Sequence, residues 1–252
     1  MKVIFNADDF GLTTGVNDGI VASFKHGVVR STTMMVGMSG EAHAVECAKE
    51  NPGLKIGVHL RFTAGAPLTS HSCLKGEDGQ FFAQKDFWPF RGFTPEAIYD
   101  EAVAQIEHFL SLGLPLSHLD SHHHAHTHEQ LLPVIKRVAQ QYNVPLRGVG
   151  IPDMIYPPHY YAFTDQFYDE QVTLSKLMNH LLELKENHQC VEVMCHPAYV
   201  DDELRAISGY CYQRETELSV LANPNLVRQL EEHAIHVTDY SELVSPKFNT
   251  CV

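Results

Sequence analysis

The sequence predicts an α/β chain folded as a distorted or incomplete TIM-like (β/α) barrel of about seven parallel strands, in one domain spanning residues 1–252. Three observations point there. Short apolar runs of strand length alternate with amphipathic segments of helical period along the whole chain. The 252 residues, 44% of them apolar, suffice for the single core of such a barrel. Aspartates and histidines also fall at the ends of several separate strand candidates. A barrel gathers such ends around one axis, whereas an open sheet spreads them along a line.

Taken in order, Val3–Asn6 reads as the first strand, halted at Ala7-Asp8-Asp9-Phe10-Gly11. Gly15–Lys25 follows as a helix, with Val16, Ile20 and Phe24 four apart. Thr32–Val36 is a second strand, Glu41–Lys49 a helix, and Leu54–His59 a third strand. An irregular stretch covers 61–93. Thr94-Pro95-Glu96 then opens a helix with a hydroxyl cap, proline in the first turn and an acid beside it. Its buried stripe is Ile98, Ala102, Ile106, Phe109 and Leu110, ending at Gly113. A strand over 116–120 and a helix after His128 come next, then a fifth strand at Val144–Gly150 and a second irregular stretch over 151–169. Leu174, Leu177, Leu181 and Leu184 mark one face of a helix over 170–187. Cys190–Cys195 is the sixth strand, Glu215–Glu232 a helix broken at Pro224, and Ala234–Thr238 the seventh strand.

Composition narrows the partners. With 31 acidic and 18 basic residues the net charge is −13, a field that repels nucleic acid and anionic membrane and suits a neutral or cationic small substrate. The six cysteines (47, 73, 190, 195, 211 and 251) form no C-x-x-C pair, and a core of this size needs no staples. Free thiols in a reducing compartment are expected. Lys2-Val3-Ile4-Phe5 already reads as strand, so no leader is expected, and no apolar run of membrane-spanning length occurs. The expected location is the cytoplasm.

The chemistry concentrates in Ser117–Glu129, where six of the 17 histidines lie between His118 and His128. If 117–122 is extended, His118, Asp120 and His122 share one face. A solvated histidine patch is the bland alternative. The other strand-end residues are Asp8 and Asp9, His59 and His196. Two histidines and one carboxylate from three strands can hold one divalent cation and leave positions open for water and substrate. Side chains of the adjacent Asp8 and Asp9 diverge, so that one can face a metal and the other an attacking water. An Asx-turn closing the strand would also place acids there. His196-Pro197 by itself would read as a turn.

The blocks Asn6-Ala-Asp-Asp-Phe-Gly11, Ile56-Gly-Val-His-Leu60, His118-Leu-Asp-Ser-His-His-His124 and His196-Pro197 resemble the signature of the YdjC-like carbohydrate deacetylases, which include chitooligosaccharide deacetylases. The resemblance runs in order from about residue 2 to about 240. It implies a distorted (β/α) barrel, one divalent metal ion held by Asp9, His59 and His122, Asp8 as general base, His196 as general acid, and a homodimer. The implied reaction removes N-acetyl groups from acetylated amino sugars or short oligosaccharides by attack of metal-bound water. Family likeness points to magnesium, while two imidazoles favour zinc, cobalt or nickel. Asp120 is placed to orient a ligand histidine. His123, His124, His126 and His128 cannot all bind the same ion. The aromatics of 61–93 (Phe81, Phe82, Phe87, Trp88, Phe90) and of 151–169 (Tyr156, Tyr160, Tyr161, Phe163, Phe167, Tyr168) form a candidate sugar-binding wall, or else pack on the barrel. Two other classes compete. A non-haem iron oxygenase uses the same ligand set on an all-β sheet. A non-catalytic metal-storage or sensor protein would exploit the histidine cluster and bind several ions.

Overall fold

The computed structural model describes residues 1–244. Seven strands appear: β1 (Lys2–Phe10), β2 (Ser31–Met34), β3 (Lys55–Leu60), β4 (Leu119–Ser121), β5 (Tyr161–Thr164), β6 (Cys190–Cys195) and β7 (His236–Thr238). Six form a curled parallel sheet in the order β4-β3-β2-β1-β6-β5, and β7 pairs with β1. The result is a half-barrel, as the distorted (β/α) pattern predicted. Strand β6 lies along residues 2–7 of β1. The opposite edge of β1 is therefore shared, by β7 at residues 2–4 and by β2 from residue 6 onward.

Alternation along β1 sorts its side chains. Val3, Phe5 and Ala7 belong to the large apolar cluster between sheet and helices. Ile4 turns inward to a smaller cluster with Tyr160, Cys190, Tyr240 and Leu243. Above Ile4 on that inner face come Asn6 and Asp8, both buried, where the barrel interior becomes polar.

Helix boundaries follow their caps. Thr13 accepts the Val16 N–H to start the helix Thr14–His26, and Thr94 accepts from Ala97 to start Pro95–Ser111. Thr173 likewise caps Leu174–Lys185. The break at Pro224 is a complete one: Tyr212–Leu221 ends, and Pro224–Glu232 starts anew with Asn223 as its cap.

Two expectations need correction. Residues 144–150 form no strand. Leu146 makes single bridges to Leu119 and Gly150, and the chain doubles back through Gly148 and Gly150 at φ of 70° and 81°. The fifth strand instead lies at Tyr161–Thr164, inside a stretch expected to be irregular. Strand β1 also runs past Ala7 to Phe10, so Asp8 and Asp9 belong to the strand and not to a turn after it.

Cys47, Cys73, Cys190, Cys195 and Cys211 carry free thiols, and Cys251 lies outside the described residues. Among the described residues no helix is long and apolar enough to cross a membrane.

Candidate metal and catalytic centre

The C-terminal ends of β1, β3, β4 and β6 bring Asp8, Asp9, His59, His122 and His196 to one cleft of about 1000 Å³. On a regular strand Asp8 and Asp9 would face opposite sides of the sheet. Here the register of β1 against β2 shifts between Ala7 and Phe10, and Asp9 takes a left-handed φ of 72°. This bulge turns both carboxylates into the cleft, which is how neighbouring acids reach one site.

Asp9 Oδ1 lies 3.4 Å from His59 Nε2 and 3.1 Å from His122 Nδ1. Its Oδ2 accepts from Arg214 Nη2 at 2.7 Å. Behind His59, Asp120 Oδ1 accepts from Nδ1 at 2.7 Å, which fixes the ring with its Nε2 edge facing Asp9. Thr33 and Arg147 hold the other oxygen of Asp120 at 2.9 and 3.0 Å. Burial opposes a charge on His59, but Asp120 and Asp8 outweigh it and raise its pKa to about 10 when no cation is beside it. Burial also works against ionised Asp9, and the Arg214 and His122 charges overcome it, holding the carboxyl well below its ordinary range.

The donor chemistry of Asp9, His59 and His122 fits a divalent ion. One carboxylate oxygen and two imidazole nitrogens lie within 4.8 Å of one another, and their backs are fixed by Arg214 and Asp120. Among the described residues two other donor groups fit less well. Asp8, His59 and Asp120 also come together, but the Arg147 guanidinium already occupies the space between the two acids. At Asp18, His43 and Cys47, the Asn17 amide donates to His43 Nδ1, which puts the ring proton on the nitrogen facing the other donors.

Asp8 is gripped through both oxygens by Arg147, at 2.7 and 2.6 Å. Burial would raise its pKa, yet the guanidinium lowers it, so Asp8 is ionised. His196 at the end of β6 points Nε2 toward Asp8 Oδ2 at 4.0 Å. Glu217, fully buried, accepts the backbone N–H of His196 and lies 3.8 Å from its Nδ1.

The histidine cluster separates into distinct environments. His122 joins the donors, and the left-handed His123 and His124 (φ 52° and 54°) fan the chain apart after it. His123 bonds Thr63 at 3.0 Å, and His124 rests against Phe163. His126 is buried on Ser121, His118 is stacked on Tyr240 and bonded to Asn6, and His128 sits among Phe87, Trp88 and Phe93.

A family model described as YdjC-like protein matches residues 2–232. The chain belongs to the YdjC-like family. Among its relatives is a protein of Vibrio parahaemolyticus named carbohydrate deacetylase, 61% identical over 97% of both chains. Another of that name, from Geobacillus stearothermophilus, is 39% identical over 95% of this chain and 96% of its own. A solved structure from Enterococcus faecalis, provisionally described as a cellobiose-phosphate cleavage protein, is 33% identical with a TM-score of 0.86, covering 96% of this chain and 98% of that one.

In this YdjC-like chain three buried residues around the centre escaped sequence reasoning: Arg147, Arg214 and Glu217. One signal was available. Glu192 lies in the middle of the apolar strand Cys190–Cys195, and a buried acid there requires a cation. That cation is Arg147, whose Nε meets Glu192 at 2.6 Å. The aromatic wall is also thinner than expected. Phe81 and Phe87 are buried, Phe82, Trp88 and Phe90 pack against the core, and of the eleven aromatics only Tyr168 lines the cleft.

Proposed function

We propose that this YdjC-like protein is a metal-dependent carbohydrate deacetylase, releasing acetate from N-acetylated amino sugars or short chitooligosaccharide-type chains. The observation that carries this reading is the donor set Asp9, His59 and His122 flanked on one rim by a carboxylate, Asp8, and an imidazole, His196. The deacetylase names of the relatives support it. A single divalent cation held by Asp9, His59 and His122 would supply a Lewis acid for the amide carbonyl and lower the pKa of a bound water.

This chain's own groups do the rest. Asp8, kept ionised by Arg147, accepts a proton at a carboxylate oxygen as water adds to the carbonyl. His196 delivers a proton from Nε2 to the departing amine, which is a poor leaving group without it. Glu217 holds that histidine's backbone and edge in place. Two imidazole ligands favour zinc, cobalt or nickel over magnesium. A cytoplasmic homodimer completes the proposal, on the strength of the free thiols and of the family resemblance. The storage alternative is disfavoured because His118, His126 and His128 are each buried with partners of their own.

Metal-loaded protein incubated with di-N-acetylchitobiose and followed by mass spectrometry tests the reading. Loss of an acetyl group from an intact disaccharide, abolished by a chelator and restored by a divalent ion, is the expected result. Cleaved disaccharide with its acetyls retained would mean a glycosidase.

A further inference from the structure

Tyr168 and Tyr210 stand face to face in the cleft, ring centroids 4.1 Å apart and planes 8° from parallel. Tyr210 is the fixed member. Its hydroxyl donates to Glu217 at 2.5 Å and accepts the Asp169 N–H at 3.0 Å, and the Arg214 guanidinium lies 5.7 Å from its ring. Tyr168 is the outer member. It is 41% exposed while lining the cleft, and its hydroxyl has no partner among the described residues. One ring face is covered by Tyr210, which leaves the other free for a ligand.

The position of His196 fixes what that free face serves. Its imidazole lies 5.9 Å from the Tyr168 centroid and 5.8 Å from that of Tyr210, edge-on to both. It is therefore level with the middle of the stack and beside it. A flat ligand on the outer face of Tyr168 lies one layer further out than the imidazole. Such a ligand is not the group whose nitrogen His196 protonates, but a neighbour attached to it.

We infer that Tyr168, braced by Tyr210, is the platform for a second sugar ring, next to the ring that carries the reacting acetamide. This rests on the deacetylase reading above. An aromatic face is electron-rich, and the axial C–H bonds of a pyranose present the matching positive edge. The free phenol can meet a sugar hydroxyl. Because Tyr210 holds the pair rigid before binding, little side-chain freedom is lost when the sugar arrives. The platform selects disaccharides and longer chains over a single N-acetylated sugar.

The test compares N-acetylglucosamine with di-N-acetylchitobiose on metal-loaded wild type, Tyr168→Ala and Tyr168→Trp, with melting temperatures confirming that each variant is folded. The disaccharide-to-monosaccharide ratio of kcat/KM should fall about tenfold in Tyr168→Ala, through KM, and recover in Tyr168→Trp. An unaltered ratio in Tyr168→Ala overturns the inference. Failure of the deacetylase reading is recognised separately, as no acetate from either sugar with wild type. In that case calorimetric titration with the disaccharide decides. Weaker binding to Tyr168→Ala than to wild type upholds the platform, and equal binding or none to wild type removes it.

Discussion

Arg147 and Asp8 are joined through both carboxylate oxygens, and the same guanidinium reaches Asp120 and Glu192. One buried cation thus serves three buried acids. A lysine carries the charge on one compact ammonium and cannot meet all three. Arg147→Lys should fold and keep its metal, yet release acetate at a rate lower by roughly 10²-fold. Arg147→Met leaves the acids unpaired and should lower the unfolding free energy by about 3–5 kcal/mol in urea titration. Wild-type turnover in Arg147→Lys would refute the orienting role.

Asp120 is not among the proposed ligands of the divalent ion, but it accepts the Nδ1 proton of His59 in a hydrogen bond. Asp120→Asn replaces the charged acceptor with an amide that can donate as well as accept, and so lets the ring turn or change tautomer. Metal affinity, read by competition with a chromogenic chelator, should weaken by about 10–100-fold.

Asp8 and Asp9 are adjacent and differ in their partners. Asp9→Asn should lower metal content directly. Asp8→Asn should retain the metal and lose about 10²–10⁴ in rate. Metal analysis beside acetate release separates the two, and equal metal loss in both variants would dismiss the division of roles.

Acid sensitivity follows from two histidines that the proposed reaction does not use. Burial pushes His118 and His126 from 6.5 down to about 3, although the Asp120 charge works against it. Both are neutral in the fold and take up protons once unfolded. Below pH 6.5 the unfolded state binds the extra protons, so stability falls with acid down to about pH 3 and is unaffected above 6.5. Each contributes a slope of about 1.4 kcal/mol per pH unit in that window. Urea midpoints of His126→Gln measured from pH 7 to 4 should show a shallower fall than wild type. Parallel curves would mean that His126 is protonated in the folded protein.

Much of this was legible in the sequence because strand ends announce themselves. Apolar runs stopping at Asp8-Asp9, His59, Asp120 and His196 placed those residues on one rim. The bulge at Asp9 was not legible, since a pair of aspartates reads equally well as a turn, and only the β1–β2 register reveals it. The Val144–Gly150 segment misled because its valines and leucine suggested pairing, while Gly148 and Gly150 bend it into a loop that delivers Arg147. A lone arginine carries no spacing signal. Its need was visible only from the acid inside β6. The loop aromatics were ambiguous for a similar reason: composition shows that rings are present, and packing alone decides that Tyr168 faces the cleft.

The shared edge of β1 bears on how the chain comes together in time. This strand is made before any of its partners, which are residues 190–195 on one side and residues 236–238 with 31–34 on the other. During synthesis Val3, Ile4 and Phe5 must wait for segments from the far end of the chain before they are enclosed. Such long-range pairing slows folding, because the loop entropy is lost before the contacts are gained. Until β6 and β7 arrive, the nascent chain carries an apolar strand with open edges, the kind of segment that chaperones shield and that aggregates when they do not.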